Sequence, residues 1–358
     1  MAWDARRLQE LRAKYTDTAG ETHDPRSPRG AARSCPAGSR PAPYAGMPTL
    51  LSAPARAIDW SAPDFSGLDV ALLGVPMDLG VTNRSGARFG PRALRSIERS
   101  GPYNDALDVA PVYELAVADV GDVPLRSRFR LEDSHVDIEK AVAAIVGAGV
   151  VPLSVGGDHS ISHPILRAMS LRAMSLRAVG AGGPVGLIHI DAHCDTGGPC
   201  DGTRFHHGGP FRNAVLDGVL DPTRTIQIGI RGAAEYLWEF SRDSGMTVIP
   251  AREIDTLGIP GVIAQARAVA GTGPTYLSFD IDSLDPAFAP GTGTPEIGGL
   301  TSREALALLR GLKGLALVGA DVVEVAPQYD ATTNTAQVGA QILFEILSLL
   351  AFSPAMRR

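Results

Sequence analysis

Short, uninterrupted apolar runs recur along this chain, separated by helical stretches, and they constrain its fold more than any other feature. Val70–Val75 (VALLGV), Val150–Val155 (VVPLSV), Val185–Ile190 (VGLIHI), Thr225–Ile230 (TIQIGI), Thr247–Pro250, Thr275–Phe279 (TYLSF) and Leu317–Val325 read as strands. A strand with one wet face alternates apolar and polar residues. These runs do not alternate, so both faces must be covered, as in a parallel sheet between helical layers. The predicted fold class is α/β, a three-layer α-β-α arrangement with a mainly parallel sheet. Residues 66–358 are read as one domain and residues 1–65 as an N-terminal arm, partly disordered or contacting another subunit. Ligands of such sheets bind beyond the carboxyl ends of the strands, which directs attention to the polar clusters there.

Composition narrows the class. The chain has 358 residues, 44% apolar and 20% charged, which is ordinary for a soluble globular protein of sufficient size to fold without staples. A formal net charge of −6 lacks the basic footprint of a nucleic-acid binder. Three cysteines, Cys35, Cys194 and Cys200, make an odd count without a disulfide framework, so a reducing, cytoplasmic setting is expected. MAWDARRLQELRAKY has no apolar core of a secretory signal and reads as a short amphipathic helix. No run is long and apolar enough for a membrane span. Residues 16–45 are rich in Pro, Gly, Ser and Arg and read as an extended arm. Residues 166–178 repeat LRAMS in tandem. A five-residue step turns each copy by about 140° around a helix, so the copies cannot share one face. The repeat is expected to lengthen the helix after VVPLSV and to distort or extend a surface loop.

Chemistry concentrates at three strand ends. Asp191, His193 and Asp195 fall every second residue after VGLIHI. If the backbone stays extended, that period aims all three the same way. Asp280 and Asp282 repeat the pattern after TYLSF, and His159 follows VVPLSV within GGDHS. Paired carboxylates at apolar strand ends are costly unless a cation neutralises them. Setting Asp158 aside, the three ends supply two His and four Asp. Four carboxylates balance two divalent cations, and an oxygen and nitrogen set without thiolate suits Mn²⁺ or Ni²⁺ better than structural zinc. Two such ions sharing carboxylates would lower the pKa of a water between them and provide a nucleophile without Ser or Cys. Cys194 is out of phase with these ligands and reads as packing.

SVGGDHS (154–160), IDAHCD (190–195) and FDIDSLDP (279–286) resemble the three signature motifs of the ureohydrolase superfamily, which includes arginase and agmatinase. The likeness runs through about residues 66–350. PGTGTPEIGGLT (290–301) and DVVEVAPQYD (321–330) resemble the guanidinobutyrase, guanidinopropionase and guanidine-hydrolase branch. The resemblance implies that His159, Asp191, Asp195 and Asp280 hold one metal, and Asp191, His193, Asp280 and Asp282 the other. It also implies that Asp282 orients the nucleophile. In relatives a His of the loop after the second motif carries a proton to the leaving nitrogen; His207 matches it better than its neighbour His206. Glu324 matches the acid that pairs the substrate guanidinium, a planar fork of donors suited to a carboxylate.

The resemblance therefore implies hydrolysis of a guanidino group to urea plus ammonia or an amine. HHGGPF (206–211) and LDPTRTIQIGIRG (220–232) favour free guanidine as substrate and Ni²⁺ as metal, with Mn²⁺ the alternative. Guanidinobutyrate, agmatine and a metformin-type biguanide stay open as substrates. A homo-oligomer, hexamer or trimer, is implied. A non-catalytic partner subunit of a hetero-oligomer is the rival outside enzymology, and a single-zinc deacetylase the rival within it. Asp158 is expected to brace a loop or a ligand, His163 and His189 to be core residues or supports behind the ligands, and Trp238 to pack against a helix, with the pocket rim as the alternative. The stretch Asn83–Arg88 is expected to border the pocket or to form a structural loop.

Overall fold

The computed structural model describes residues 4–16, 45–98, 103–175, 184–232 and 238–356. Thr49–Arg358 forms one compact unit and Met1–Pro48 a separate one. In the smaller unit, Ala5–Tyr15 is helical, and Asp4 caps it by accepting from Arg7 N. Cys35, residues 17–44 of the arm and the last residues of the LRAMS repeat lie outside the described residues.

The larger unit is built on eight strands: β1 (Val70–Val75), β2 (Val117–Asp122), β3 (Val151–Gly156), β4 (Val185–Ile190), β5 (Leu220–Ile230), β6 (Thr247–Pro250), β7 (Thr275–Asp280) and β8 (Leu317–Val323). All pair in parallel in the order β2-β1-β3-β8-β7-β4-β5-β6. Seven of the eight match the apolar runs. The eighth, β2, reads VADVGD and ends exposed at the sheet edge; its polar residues break the apolar run that marks a covered strand.

Alternate residues of β1, β4, β7 and β8 feed two cores. Leu72, Leu153, Ile188 and Leu277 pack on one face with the helices Ala251–Ala270, Ser302–Gly311 and Asn334–Leu350. Ala71, Leu73, Leu187 and Tyr276 pack on the other with Leu131–Gly147, Ser162–Ser175 and Pro210–Leu216. This is the three-layer arrangement expected from continuous apolar strands. Helix Ser302–Gly311 starts at a capping box, in which Thr301 and Glu304 bond each other's backbone N–H, worth about 1 kcal/mol. Leu50, Ala53 and Phe65, on the arm side of residue 66, are buried in these cores. Helix Ser162–Ser175 carries both LRAMS copies, and Leu166, Ala168 and Met169 of the first are buried.

The chain moves from β3 to β4 across two sheet positions that β8 and β7 later fill. The four central strands, β3, β8, β7 and β4, thus bring their carboxyl ends together where the order reverses, the usual place for a ligand in such sheets. No helix of the described residues is long and apolar enough to cross a membrane.

Candidate functional site

The spacing of the acidic motifs has a local cause that differs from the extended backbone expected of them. Each of the three strands ends in an Asx turn, where an aspartate accepts the N–H two residues on. Asp158 Oδ1 accepts from Ser160 N at 2.9 Å, Asp191 Oδ1 from His193 N at 2.6 Å, and Asp280 Oδ1 from Asp282 N at 2.8 Å. The turn, rather than a continuing strand, brings the side chains of each motif to one side. Gly157 is required for the first of them. Its φ is +46°, and a Cβ there would lie 2.4 Å from Met77 O and 2.5 Å from Val75 O.

His159 from the β3 end is buried and its Nδ1 points into three carboxylates. Asp195 Oδ2 is 2.8 Å away, Asp191 Oδ2 3.0 Å and Asp280 Oδ2 3.1 Å. His193 Nδ1 lies 3.2 Å from Asp282 Oδ2 and 3.5 Å from Asp191 Oδ1. Asp191 thus offers one oxygen to each group, so the two groups share it. All six residues named from the sequence converge here. His189, read as a core residue or a support behind the ligands, takes the second role, with Nε2 2.7 Å from Asp191 Oδ2.

The donor set suits two divalent cations. His159 Nδ1 is a buried nitrogen without a hydrogen-bond partner. Its other nitrogen is committed, because Nε2 lies 2.7 Å from Ser278 Oγ and Ser278 donates onward to Asp321 Oδ1 at 2.6 Å. Asp321 Oδ2 in turn accepts from Tyr276 and Ser162. This chain fixes the ring with its free lone pair toward the carboxylates, which is how a metal-bound histidine is usually oriented. Burial, with Asp282 and Asp191 alongside, pushes Asp280 well above the usual carboxylate range. Burial also raises Asp282. Burial pushes Asp191 upward, but the neighbouring histidines outweigh it and hold it well below that range. Those shifts mark carboxylates crowded at one spot, and cationic charge is what such a cluster accepts.

His207 and Glu324 sit beside the cluster. His207 Nδ1 is 2.9 Å from Glu324 Oε1, and that same oxygen accepts from His159 N at 2.9 Å. Glu324 Oε2 is buried without a partner. Burial lowers the His207 pKa, but the Glu324 carboxylate outweighs it and raises the value to about 9. His207 Nε2 lies 2.6 Å from Thr82 Oγ1 and 3.1 Å from Thr82 N. The backbone N–H serves the neutral ring and the hydroxyl can accept from the charged one, so both protonation states are accommodated. His206 lines the same cavity but donates to Gly198 O at 2.8 Å rather than meeting Glu324. Asp195 and Glu324 both hold left-handed backbone, at φ +50° and +63°; for non-glycine residues this is strain of the kind found at working sites.

Neighbouring residues act as supports. Asp158 Oδ2 accepts from Gly80 N at 2.7 Å, and Gly80 O accepts from His207 N at 2.8 Å, so Asp158 braces the segment that holds His207. Arg84 donates to Thr292 O and Gly293 O and stacks over Tyr329, which makes this stretch a loop clamp. His163 bonds Asp217 in the core. Cys194 is buried against Ile230 and Trp238, and burial pushes its thiol up to about 12, which suits packing rather than nucleophilic attack.

A cavity of about 480 Å³ opens onto the cluster, lined by Thr82, His193, Asp195, Gly197, His206, His207, Trp238, Asp280, Asp282 and Thr294 among others. Trp238 therefore forms pocket wall as well as packing. Residues 233–237 lie outside the described residues.

The comparisons with known proteins agree with this geometry. The chain is 48% identical over 294 residues to a mitochondrial agmatinase of Gallus gallus, covering 79% of this chain and 82% of that protein. It is 47% identical over 316 residues to a guanidinopropionase of Pseudomonas aeruginosa, covering 87% and 94%. The solved proclavaminate amidino hydrolase of Streptomyces clavuligerus shares the fold with a TM-score of 0.79 at 37% identity, covering 87% of this chain and all of that one. With residues 68–348 matching the arginase family, the chain belongs to that family of ureohydrolases, amidino hydrolases that act on C–N bonds of guanidino compounds with a dinuclear metal cluster.

Proposed function

We propose that this ureohydrolase acts on a guanidino compound without a charged tail, free guanidine being the preferred substrate. One observation carries the choice. Among the described residues lining the cavity there is no Lys or Arg, and the acidic ones, Asp195, Asp280 and Asp282, belong to the cluster itself. A carboxylate tail, as in guanidinobutyrate or guanidinopropionate, calls for a cation on the wall. The amine of agmatine calls for a separate acid. The second reading, a guanidino acid or agmatine, is favoured by the names of the relatives at 47–48% identity.

The metal ligands in this reading are His159, Asp191, Asp195 and Asp280 for one ion, and Asp191, His193, Asp280 and Asp282 for the other. Bound there, two divalent cations would supply the charge that lets water lose a proton near neutral pH. Ni²⁺ is the preferred ion and Mn²⁺ the alternative; carboxylate oxygen and imidazole nitrogen serve both. The remaining steps belong to the chain. Glu324 offers its unpartnered Oε2 to the guanidinium, a charge-assisted contact. Asp282, whose Oδ2 also accepts from Thr294 Oγ1 at 3.2 Å, orients the attacking water and takes up its proton. Water adds to the guanidinium carbon, the C–N bond breaks, and His207 protonates the departing nitrogen. Urea and ammonium, or urea and an amine, are the products. A cytoplasmic homo-oligomer, trimer or hexamer, completes the proposal; the free thiols of Cys194 and Cys200 suit a reducing compartment.

The test is urea release by protein loaded separately with Ni²⁺ and Mn²⁺, across guanidine, 4-guanidinobutyrate, 3-guanidinopropionate, agmatine, arginine and metformin. Fastest turnover of guanidine supports the reading. Fastest turnover of a substrate with a charged tail overturns it.

A further inference from the structure

Gln227 lies outside the machinery described so far, yet with His189 it makes a continuous polar relay to Asp191 through the sheet. Both are fully buried, His189 on β4 and Gln227 on the neighbouring β5. Gln227 Nε2 donates to Cys194 O at 2.5 Å and lies 3.1 Å from His189 Nδ1. A backbone carbonyl can only accept, so Cys194 O fixes which end of the amide points inward. The same NH₂ then donates to His189 Nδ1, which carries no proton. The ring proton is left on Nε2, 2.7 Å from Asp191 Oδ2. Phe211 packs against the imidazole with ring centres 4.4 Å apart and blocks its rotation. Gln227 Oε1 is buried without a partner, a desolvation cost that the fold carries while keeping the amide in this orientation.

We propose that Gln227 and His189 are positioning residues that set the orientation of Asp191, and through it the affinity for the two cations that share Asp191 as a ligand. This rests on the reading of Asp191 as a shared metal ligand. Each Asp191 oxygen already accepts one N–H, Oδ2 from His189 and Oδ1 from His193 N. Each therefore keeps one lone pair, directed toward one group. Without Gln227 the imidazole is free to move its proton to Nδ1. Its Nε2 lone pair would then face Asp191 Oδ2, and the carboxylate would turn away from the shared position.

The experiment titrates the metal-stripped full-length protein with Mn²⁺ alone by calorimetry, with circular dichroism as a check of folding. Wild type should take two ions per chain, and Asp191→Asn should not. Gln227→Met is expected to weaken binding of the ions held by Asp191 by 10- to 100-fold, with kcat restored at saturating Mn²⁺. His189→Gln carries its own amide N–H at the place of the ring Nε2–H and does not depend on Gln227. The double variant His189→Gln/Gln227→Met should therefore bind more tightly than Gln227→Met alone. If Gln227→Met does not fold, Gln227→Asn, too short to reach both partners, replaces it. A Gln227 variant that binds both ions as tightly as wild type overturns the relay, as does a double variant no tighter than the single one. A wild type that binds fewer than two ions, or an Asp191→Asn that titrates like wild type, overturns instead the assignment of Asp191.

Discussion

His207 Nδ1 lies 2.9 Å from Glu324 Oε1, although 117 residues separate the two along the chain. The carboxylate holds one histidine with one oxygen and leaves the other oxygen unpartnered. One acid can thus place the proton donor and receive the guanidinium together. Replacing Glu324 by Gln keeps the shape and removes the charge. The expected loss in kcat/KM is about 10²-fold, equivalent to about 3 kcal/mol for a charge-assisted contact. Steady-state kinetics on the metal-loaded enzyme measures it; a loss under threefold would contradict the role.

The same pair sets a pH dependence. Burial disfavours the charged ring, but Glu324 outweighs burial and lifts His207 to about 9. A proton donor with that value is charged at neutral pH and empties as pH rises. Activity should therefore fall on the alkaline side near pH 9. In Glu324→Gln that limb should move down toward the ordinary histidine range near 6.5. The sign for stability is the same: the contribution of the pair is complete below the unfolded value and is lost as pH rises through about 9. An alkaline limb that does not move in the variant would rule out His207 as the titrating donor.

The two adjacent histidines should behave differently. His207→Ala removes the proton donor, worth 10²- to 10⁴-fold in kcat. His206 donates to Gly198 O and makes no contact with Glu324, so His206→Ala should change kcat far less. Equal losses in both variants would mean that the loop as a whole, rather than one imidazole, carries the effect.

Gly157→Ala tests the turn that delivers His159. The substitution puts a Cβ against the carbonyls of Val75 and Met77 at a φ of +46°. Strain of this kind costs on the order of 1–3 kcal/mol, and the clash adds to it. Thermal unfolding should show a lower Tm, with metal affinity reduced alongside. An unchanged Tm would show that the β3 end has room to relax.

Much of the architecture is legible in the sequence because a strand covered on both faces leaves an unbroken apolar run, and seven strands leave that mark. The edge strand Val117–Asp122 leaves none, because Gly121 and Asp122 are exposed at its end and the buried Asp119 is paired with Arg95. The ligand-type residues are legible because Asp, His and Asp crowd against apolar strands. Their supports are not. Ser278 and Asp321 look like ordinary strand residues until their side chains line up behind His159. Thr82 meets His207 across 125 residues of sequence, a distance that no local pattern spans. The cause of the motif spacing was also hidden: a period of two suggests extended backbone, whereas Asx turns produce it.

The most direct measurement of the dinuclear hydrolase is metal content per chain together with urea release, in wild type and in Asp191→Asn. Wild type is expected to hold two divalent cations per chain and to release urea from guanidine. Asp191→Asn, which removes the carboxylate facing both His159 and His193, should hold no more than one and release none. Undiminished urea release by Asp191→Asn, or by wild type stripped of metal, would contradict it.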